Sequence, residues 1–302
     1  MTDAAVPAAA PAPALRVGLA ATASGFWFVS IAPVIVAGSG VHGVVMAFWR
    51  SWIAFAVLTL VATARRQLSR EVALATGPAG VCFGVSIGLF FWASQLTSIA
   101  NVSLIAVLQP IPLMIAAHFV FSEHLERRDL YWAVMAIGGA IFLVLAPGSS
   151  GTGDITGDAL ALVAIIIGSG YFVFSKRCLE TMSVLPFMVG MFGWAGAALT
   201  PMVLISGERI PATGSGDWLR VFGVALIPGI GHFLLNYAHG KAPLNMMAVL
   251  QLLVPVNATL MAFWFLGQSV SRLQVLGMAV VMIALAAHAL TRFDMPTGRS
   301  RA

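Results

Sequence analysis

Long apolar stretches, bounded by charged residues or by Gly and Pro, recur along the chain. Ten of them predict helices: Leu15–Ala37, Gly43–Ala64, Pro78–Ile99, Val102–Phe121, Leu130–Ala146, Asp158–Ser175, Leu185–Ser206, Trp218–Ala238, Asn245–Leu266 and Leu273–Leu290. A helix crosses a hydrocarbon core with about 20 residues. A β-barrel would need strands of about 10 residues in strict alternation. These stretches are longer and apolar on all faces, so the pattern predicts an all-α polytopic membrane protein with ten transmembrane helices. Residues 1–14 are rich in Ala and Pro and read as a disordered tail. They lack the basic segment of a cleaved signal peptide, so the first span is expected to be retained. The Gly/Ser/Thr run at 147–157 reads as a linker between 15–146 and 158–290, and 291–302 as a second, cytoplasmic tail.

The two halves repeat. A shift of 145 residues lays Ser24-Gly25-Phe26-Trp27-Phe28-Val29-Ser30 on Ser169-Gly170-Tyr171-Phe172-Val173-Phe174-Ser175 without a gap. It also pairs Met46 with Met191, Trp49 with Trp194, Gly84 with Gly229 and Pro110 with Pro255. Chance matches of Leu and Ala are cheap in an apolar chain, whereas coincident Trp, Pro and Gly are not. Each half holds five spans. An odd number makes the second half enter the membrane in the opposite sense, as two inverted five-helix repeats. Many secondary transporters are built this way, with substrate bound near the midplane between the repeats.

Composition agrees. Hydrophobic residues make up 60% of the 302 and charged residues 9%. Soluble domains carry about 25% charged residues. Two cysteines exclude a disulfide-built secreted domain. The formal charge of +5 is explained by placement. With a cytoplasmic N-terminus, twelve of the sixteen Lys and Arg face the cytoplasm and three face outward, with Arg50 inside a span. That asymmetry puts both termini inside. The partner it implies is a lipid bilayer, with no nucleic acid.

Two motif stretches carry a family resemblance. The first is Asn101-Val102-Ser103-Leu104 through Leu108-Gln109-Pro110, closing on Phe121-Ser122-Glu123-His124-Leu125. The second is Val249-Leu250-Gln251 through Pro255, closing on Leu266-Gly267-Gln268-Ser269-Val270 with Gly277 beyond. With ten spans in two fives, the chain resembles the drug/metabolite transporter superfamily, in its EamA-type branch of bacterial metabolite exporters. Three positions depart from that family's pattern. Ser122 stands where Gly is frequent, Gln268 stands for Glu, and Trp132 stands for the Gly aligned with Gly277. The resemblance implies a transporter; the family includes exporters of amino acids and other metabolites as well as importers.

Candidate chemistry is sparse. None of the eleven acidic residues falls deep in a span, which argues against a relay built on a membrane carboxylate. Arg50 lies seven residues into its span, about 10 Å deep at 1.5 Å per residue. It either attracts a substrate carboxylate, or serves structure by snorkelling outward or capping helix carbonyls. His232, Asn236 and His239 share one helical face by their spacing. His232 and Asn236 are candidate cavity walls or interhelical bonds, and His239 is expected to meet water at the cytoplasmic edge. His118 and His288 read as lone structural histidines. Gln109 beside Pro110 and Gln251 before Pro255 either bind a solute at a helix kink or satisfy the carbonyl that proline frees. Asn101 and Asn245 are expected to cap spans, and Asn257 is a cavity candidate. Trp49 and Trp194 either flank the cavity or anchor the membrane interface. Gly80, Gly84 and Gly88 form a small-residue packing face, within one chain or between the copies of a homodimer. No GxxxxGK[ST], HExxH or paired-Cys motif occurs, so neither a cofactor nor an enzymatic activity is expected. The expectation is a secondary carrier of the bacterial inner membrane, moving a small organic metabolite through a central cavity. An amino acid or similar zwitterion, exported, is the first choice. A vitamin or nucleoside importer and a multidrug or toxic-metabolite efflux protein stay open beside it.

Overall fold

The computed structural model describes residues 12–37, 39–97, 99–123, 126–145, 154–208, 210, 214–266 and 270–293. Among them are fourteen helices and no strand. They are α1 (Ala12–Val29), α2 (Ala32–Ala37), α3 (Gly43–Ala64), α4 (Arg70–Ala75), α5 (Gly77–Leu96), α6 (Ile99–Ala106) and α7 (Pro110–Phe121) in the first half. There follow α8 (Arg127–Leu145), α9 (Ile155–Leu179), α10 (Val184–Ser206), α11 (Ser215–His239), α12 (Leu244–Leu250), α13 (Leu253–Leu266) and α14 (Arg272–Phe293). Among the described residues, seven helical stretches are long and apolar enough to cross a membrane, and Pro110–Phe121 and Arg272–His288 are shorter apolar helices. Leu60, Phe119, Leu204, Ile205, Leu219 and Leu226 project outward, mostly exposed. Water would drive such a surface to aggregate, and lipid is the solvent that suits it. The chain is a multi-pass membrane protein.

Helix packing joins the two halves. α5 lies along α9 and α1 along α11, while α3 packs on α10 and α8 on α14. Shifting by 145 residues turns α5 into α11 and α1 into α9, so the first two contacts exchange. The other two map onto themselves. Close approach is set by small residues. A Cβ on Gly84 would sit 2.6 Å from the Ala195 carbonyl oxygen, and one on Gly80 would sit 2.6 Å from that of Met191. The Gly80/Gly84/Gly88 face is therefore covered by α10 of the same chain.

Two helices are interrupted at related places. Residues 107–109 separate α6 from α7, and 251–252 separate α12 from α13. Pro110 opens α7 and Pro255 is the third residue of α13. The carbonyls these prolines cannot serve are taken up by tighter bonds: Gln109 N–H donates to Ala106 at 3.1 Å and Val254 N–H to Gln251 at 2.9 Å.

Several boundaries differ from expectation. α9 begins at Ile155, inside the expected linker, because the Asp154 carboxylate accepts from the backbone N–H groups of Thr156 (2.6 Å) and Gly157 (3.2 Å). α1 begins at Ala12 and α14 extends to Phe293. Asn245 is no cap: it is the second residue of α12, and its backbone N–H donates to Glu123. The remainder of the linker, residues 1–11 and 294–302, and Gln268 lie outside the described residues.

Candidate substrate site

α3 carries Arg50 into the bundle, where it is 1% exposed. None of its three guanidinium nitrogens has a hydrogen-bond partner among the described residues. Its Cζ lies 5.5 Å from the Phe83 ring centroid and 5.9 Å from that of Phe91, both on α5. Arginine stays ionised in proteins, so aromatic faces supply its local stabilisation. Buried and without hydrogen-bond partners among the described residues, this side chain neither snorkels outward nor caps helix carbonyls.

Phe83 is the hub. His232 of α11 meets its ring edge-on at 4.8 Å, Tyr171 of α9 lies at 5.0 Å and Phe192 of α10 at 5.6 Å. The Tyr171 hydroxyl donates to Asn236 Oδ1 at 3.0 Å. Asn236 is fully buried, and its amide nitrogen lies 4.0 Å from the Met191 sulfur. His232 Nδ1 has no hydrogen-bond partner among the described residues. Five helices from both halves thus bring together one fixed cation, an imidazole, an amide–phenol pair and aromatic walls. The sequence marks Arg50, His232 and Asn236 as candidates and Tyr171 only as one amphipathic aromatic among several, and nothing in it sets Phe83 and Phe91 apart from the other span aromatics. Tyr171 had a signal: it is the phenol that the 145-residue shift lays on Phe26.

The other candidates make their contacts outside this cluster, and Gln109 reaches α9 beside Gly168, one turn before Tyr171. Gln251 Nε2 donates to Gln109 Oε1, joining the two helix interruptions across the repeats. That bond uses one atom of each amide and leaves Gln251 Oε1 without a hydrogen-bond partner among the described residues, while the carbonyls freed by proline are satisfied by backbone. Asn257 is 5% exposed with an unpartnered Nδ2. It lines a separate cavity of about 680 Å³, between α1, α13 and α14, with Ser24, Trp27, Leu253, Leu260 and Met278. Trp49 stacks edge-on against Trp218 at 5.1 Å. Trp194 is 38% exposed and donates to the Ala73 carbonyl at 2.6 Å, which ties α10 to α4. The shared repeat position of these two tryptophans does not bring them to one cavity.

Two histidines depart from expectation. His239 is 2% exposed, edge-on to Phe172 of α9 at 5.7 Å, because α1 and α9 pack on α11. His288 is not alone: its Nδ1 lies 3.6 Å from the Asp129 carboxylate, both buried where α8 packs on α14. His118 points outward. The Asn101 side chain lies outside the described residues.

At one end of the bundle, Glu123 holds the halves together. It pairs with Lys176 of α9 and accepts from the backbone N–H groups of Leu244 (2.8 Å) and Asn245 (2.9 Å). At the other, Thr97 donates to Asp158 at 2.8 Å and accepts from Asp154 N–H at 3.2 Å. No group of three or more metal-ligating side chains occurs among the described residues.

Comparison with known proteins adds the family. The model of the EamA-like transporter family matches twice, over residues 14–145 and 155–288. An uncharacterized transporter of Bacillus subtilis (YwfM) is 28% identical over 213 residues, 68% of this chain and 70% of the relative. An uncharacterized transporter of Archaeoglobus fulgidus is 24% identical over 202 residues, 66% and 70% of the two chains. A solved crystal structure of a protein at 23% identity has the same fold, with a TM-score of 0.73 over 94% of this chain and 99% of that one. The two matches account for both halves and most of the helical core, and the chain belongs to the EamA-like transporter family.

Proposed function

We propose that this transporter is a secondary carrier of ten spans in two inverted five-helix repeats, working by alternating access in a bacterial inner membrane with both termini cytoplasmic. The cargo is a small organic metabolite, with amino acids and similar zwitterions, exported, as the first class to test. The observation that carries the reading is the buried Arg50–Phe83–Tyr171–His232–Asn236 cluster. Its members come from α3 and α5 of one half and α9 and α11 of the other. A site shared by two halves is one whose walls separate when one half rocks against the other. The contacts closing its two ends, Glu123–Lys176 and Thr97–Asp158, are ones such rocking would break in turn.

The Gln109–Gln251 pair joins the two helix interruptions and is a second polar element lining the path. Trp49 and Trp194 serve packing and anchoring in this account. Reconstituted protein should move a radiolabelled member of a metabolite panel, and Asn236→Ala should lower the flux. Panel-wide absence of flux would sink the amino-acid version. The apolar cavity beside Asn257 favours a second reading, efflux of a lipophilic metabolite. Protection of cells against lipophilic toxins, lost in Asn257→Leu, would support it.

A further inference from the structure

We infer that Arg50 is the anchor for a substrate carboxylate, and that the site takes a monocarboxylate anion with an apolar, planar body in preference to an amino acid. The inference rests on the carrier reading and moves its first cargo class from zwitterions to monocarboxylates.

A guanidinium presents five N–H donors in a rigid fork that matches a carboxylate with two parallel hydrogen bonds. In Arg50 that fork is buried and its nitrogens have no acceptor among the described residues. A side chain kept for structure alone would have carbonyls or a carboxylate against it, because burying an unpaired charge is costly. The neighbours here are Phe83 and Phe91. Their ring faces stabilise a cation only partially and leave the fork free to bond a ligand. The same rings, with Tyr171 and Phe192 on Phe83, are buried against one another and would wall an apolar ligand body once the halves part.

The cluster also says what it does not suit. The groups assembled around Phe83 include a cation, an imidazole and an amide–phenol pair, and no carboxylate among the described residues. The carboxylates with described contacts are committed elsewhere: Glu123 to Lys176 and α12, Glu126 to Arg128, Asp129 to His288, Asp158 to Thr97, Asp154 to the start of α9 and Asp217 to Arg220. The Tyr171 phenol, donating its proton to Asn236 Oδ1, offers an ammonium lone pairs and no negative charge. A ligand ammonium would therefore meet Arg50 repulsion with no counter-charge, whereas a ligand carboxylate would neutralise the buried fork.

The test uses full-length protein in lipid nanodiscs and three probes sharing one phenyl ring. Phenylpyruvate carries a carboxylate, phenylalanine carries a carboxylate and an ammonium, and phenethylamine carries an ammonium alone. Calorimetric titration should rank phenylpyruvate about tenfold or more above phenylalanine, with no measurable binding of phenethylamine. Arg50→Met should weaken phenylpyruvate about 30-fold or more, the loss expected on deleting one side of a buried charge-assisted pair. Arg50→Lys should fall between. Arg50→Met should melt no lower than the wild type, since it removes an unpaired buried charge. That separates a binding role from a structural one, for which melting would drop. Equal affinity for phenylalanine and phenylpyruvate, undiminished binding in Arg50→Met, or binding of none of the three overturns the inference. Flux of a neutral or cationic solute that survives Arg50→Met would overturn it and leave the carrier reading standing. Absence of flux for every solute in the wild type would instead strike the carrier reading.

Discussion

The Glu123 junction gives the sharpest energetic prediction. One carboxylate, 12% exposed in its side chain, receives three donors: the Lys176 ammonium, itself 12% exposed, and the first two backbone N–H groups of α12. A hydrogen bond to a charged group contributes about 1.5–3 kcal/mol net. A negative charge at a helix N-terminus adds up to about 2 kcal/mol in partly buried geometry. Breaking a buried pair by deleting one partner costs about 3–5 kcal/mol. These overlap, because all act through the same two oxygens, and the junction keeps some solvent contact. Glu123→Ala should therefore cost about 3–4 kcal/mol, near the low end of the buried-pair range. Glu123→Gln keeps one acceptor and loses the charge, and should cost about 1–2 kcal/mol. Thermal unfolding in a fixed detergent reads this: at about 2 °C per kcal/mol for a chain of this size, the shifts are about 6–8 °C and 2–4 °C. A double-mutant cycle with Lys176→Met should return a coupling of about 1–3 kcal/mol. A Glu123→Ala protein that melts within a degree of the wild type, or a coupling near zero, would refute the account of this junction.

Three further outcomes follow from local geometry. Gly84→Ala should destabilise more than Gly88→Ala, in chemical denaturation, because the added Cβ meets the Ala195 backbone at 2.6 Å in one case and the movable Leu199 side chain in the other. Ser122 closes α7 in the left-handed region at φ 53°, where a Cβ is strained. Ser122→Gly should raise stability by about 0.5 kcal/mol, because relief of a left-handed cost of about 1–2 kcal/mol exceeds the glycine's entropic cost of about 0.5–1 kcal/mol, read as a rise in the melting point. The Asp154 carboxyl is held below its ordinary 3.8 by the N–H groups of Gly157 and Thr156. A depressed carboxyl contributes stability above its unfolded value that is lost as pH falls through the folded one. Amide exchange at 156–158 should thus stay protected to below about pH 4, the ordinary carboxyl range, and fray on further acidification. Fraying that begins near neutral pH would contradict the cap.

The scaffold is legible in the sequence because it is what the two halves share. Trp, Gly and Pro coincidences at one offset, with apolar runs of span length, point to the helical bundle and to the family. The site is harder to read, because its chemistry sits where the halves differ. Under the same shift Arg50 falls on Ala195, His232 on Ile87, Asn236 on Phe91 and Tyr171 on Phe26. Each polar group faces an apolar counterpart, so a search for shared residues passes over it. Trp49 and Trp194 show the converse. They share a repeat position, yet one packs on Trp218 and the other bonds Ala73 at the edge of the bundle. Composition also hides the convergence of helices that buries His239 and gives His288 a carboxylate, since helix-face arithmetic describes one helix at a time. Ser122 runs the other way. It stands where the family often carries glycine, and the backbone there is left-handed, a conformation glycine adopts without strain.

Alternating access around the shared cluster is the central claim, and thiol accessibility tests it most directly. In a background with Cys82 and Cys178 replaced by Ser, single cysteines would be placed at Leu244, beside the Glu123 junction, and at Ala161, near the Thr97 end; both positions are fully buried. Reaction with a membrane-impermeant thiol reagent, applied from one side and then from the other, would be followed with and without a transported solute. The account predicts that Leu244→Cys reacts from one side only and Ala161→Cys from the opposite side only, and that the solute moves the two rates in opposite directions. Two sites exposed to the same side, or rates that rise and fall together, would contradict it.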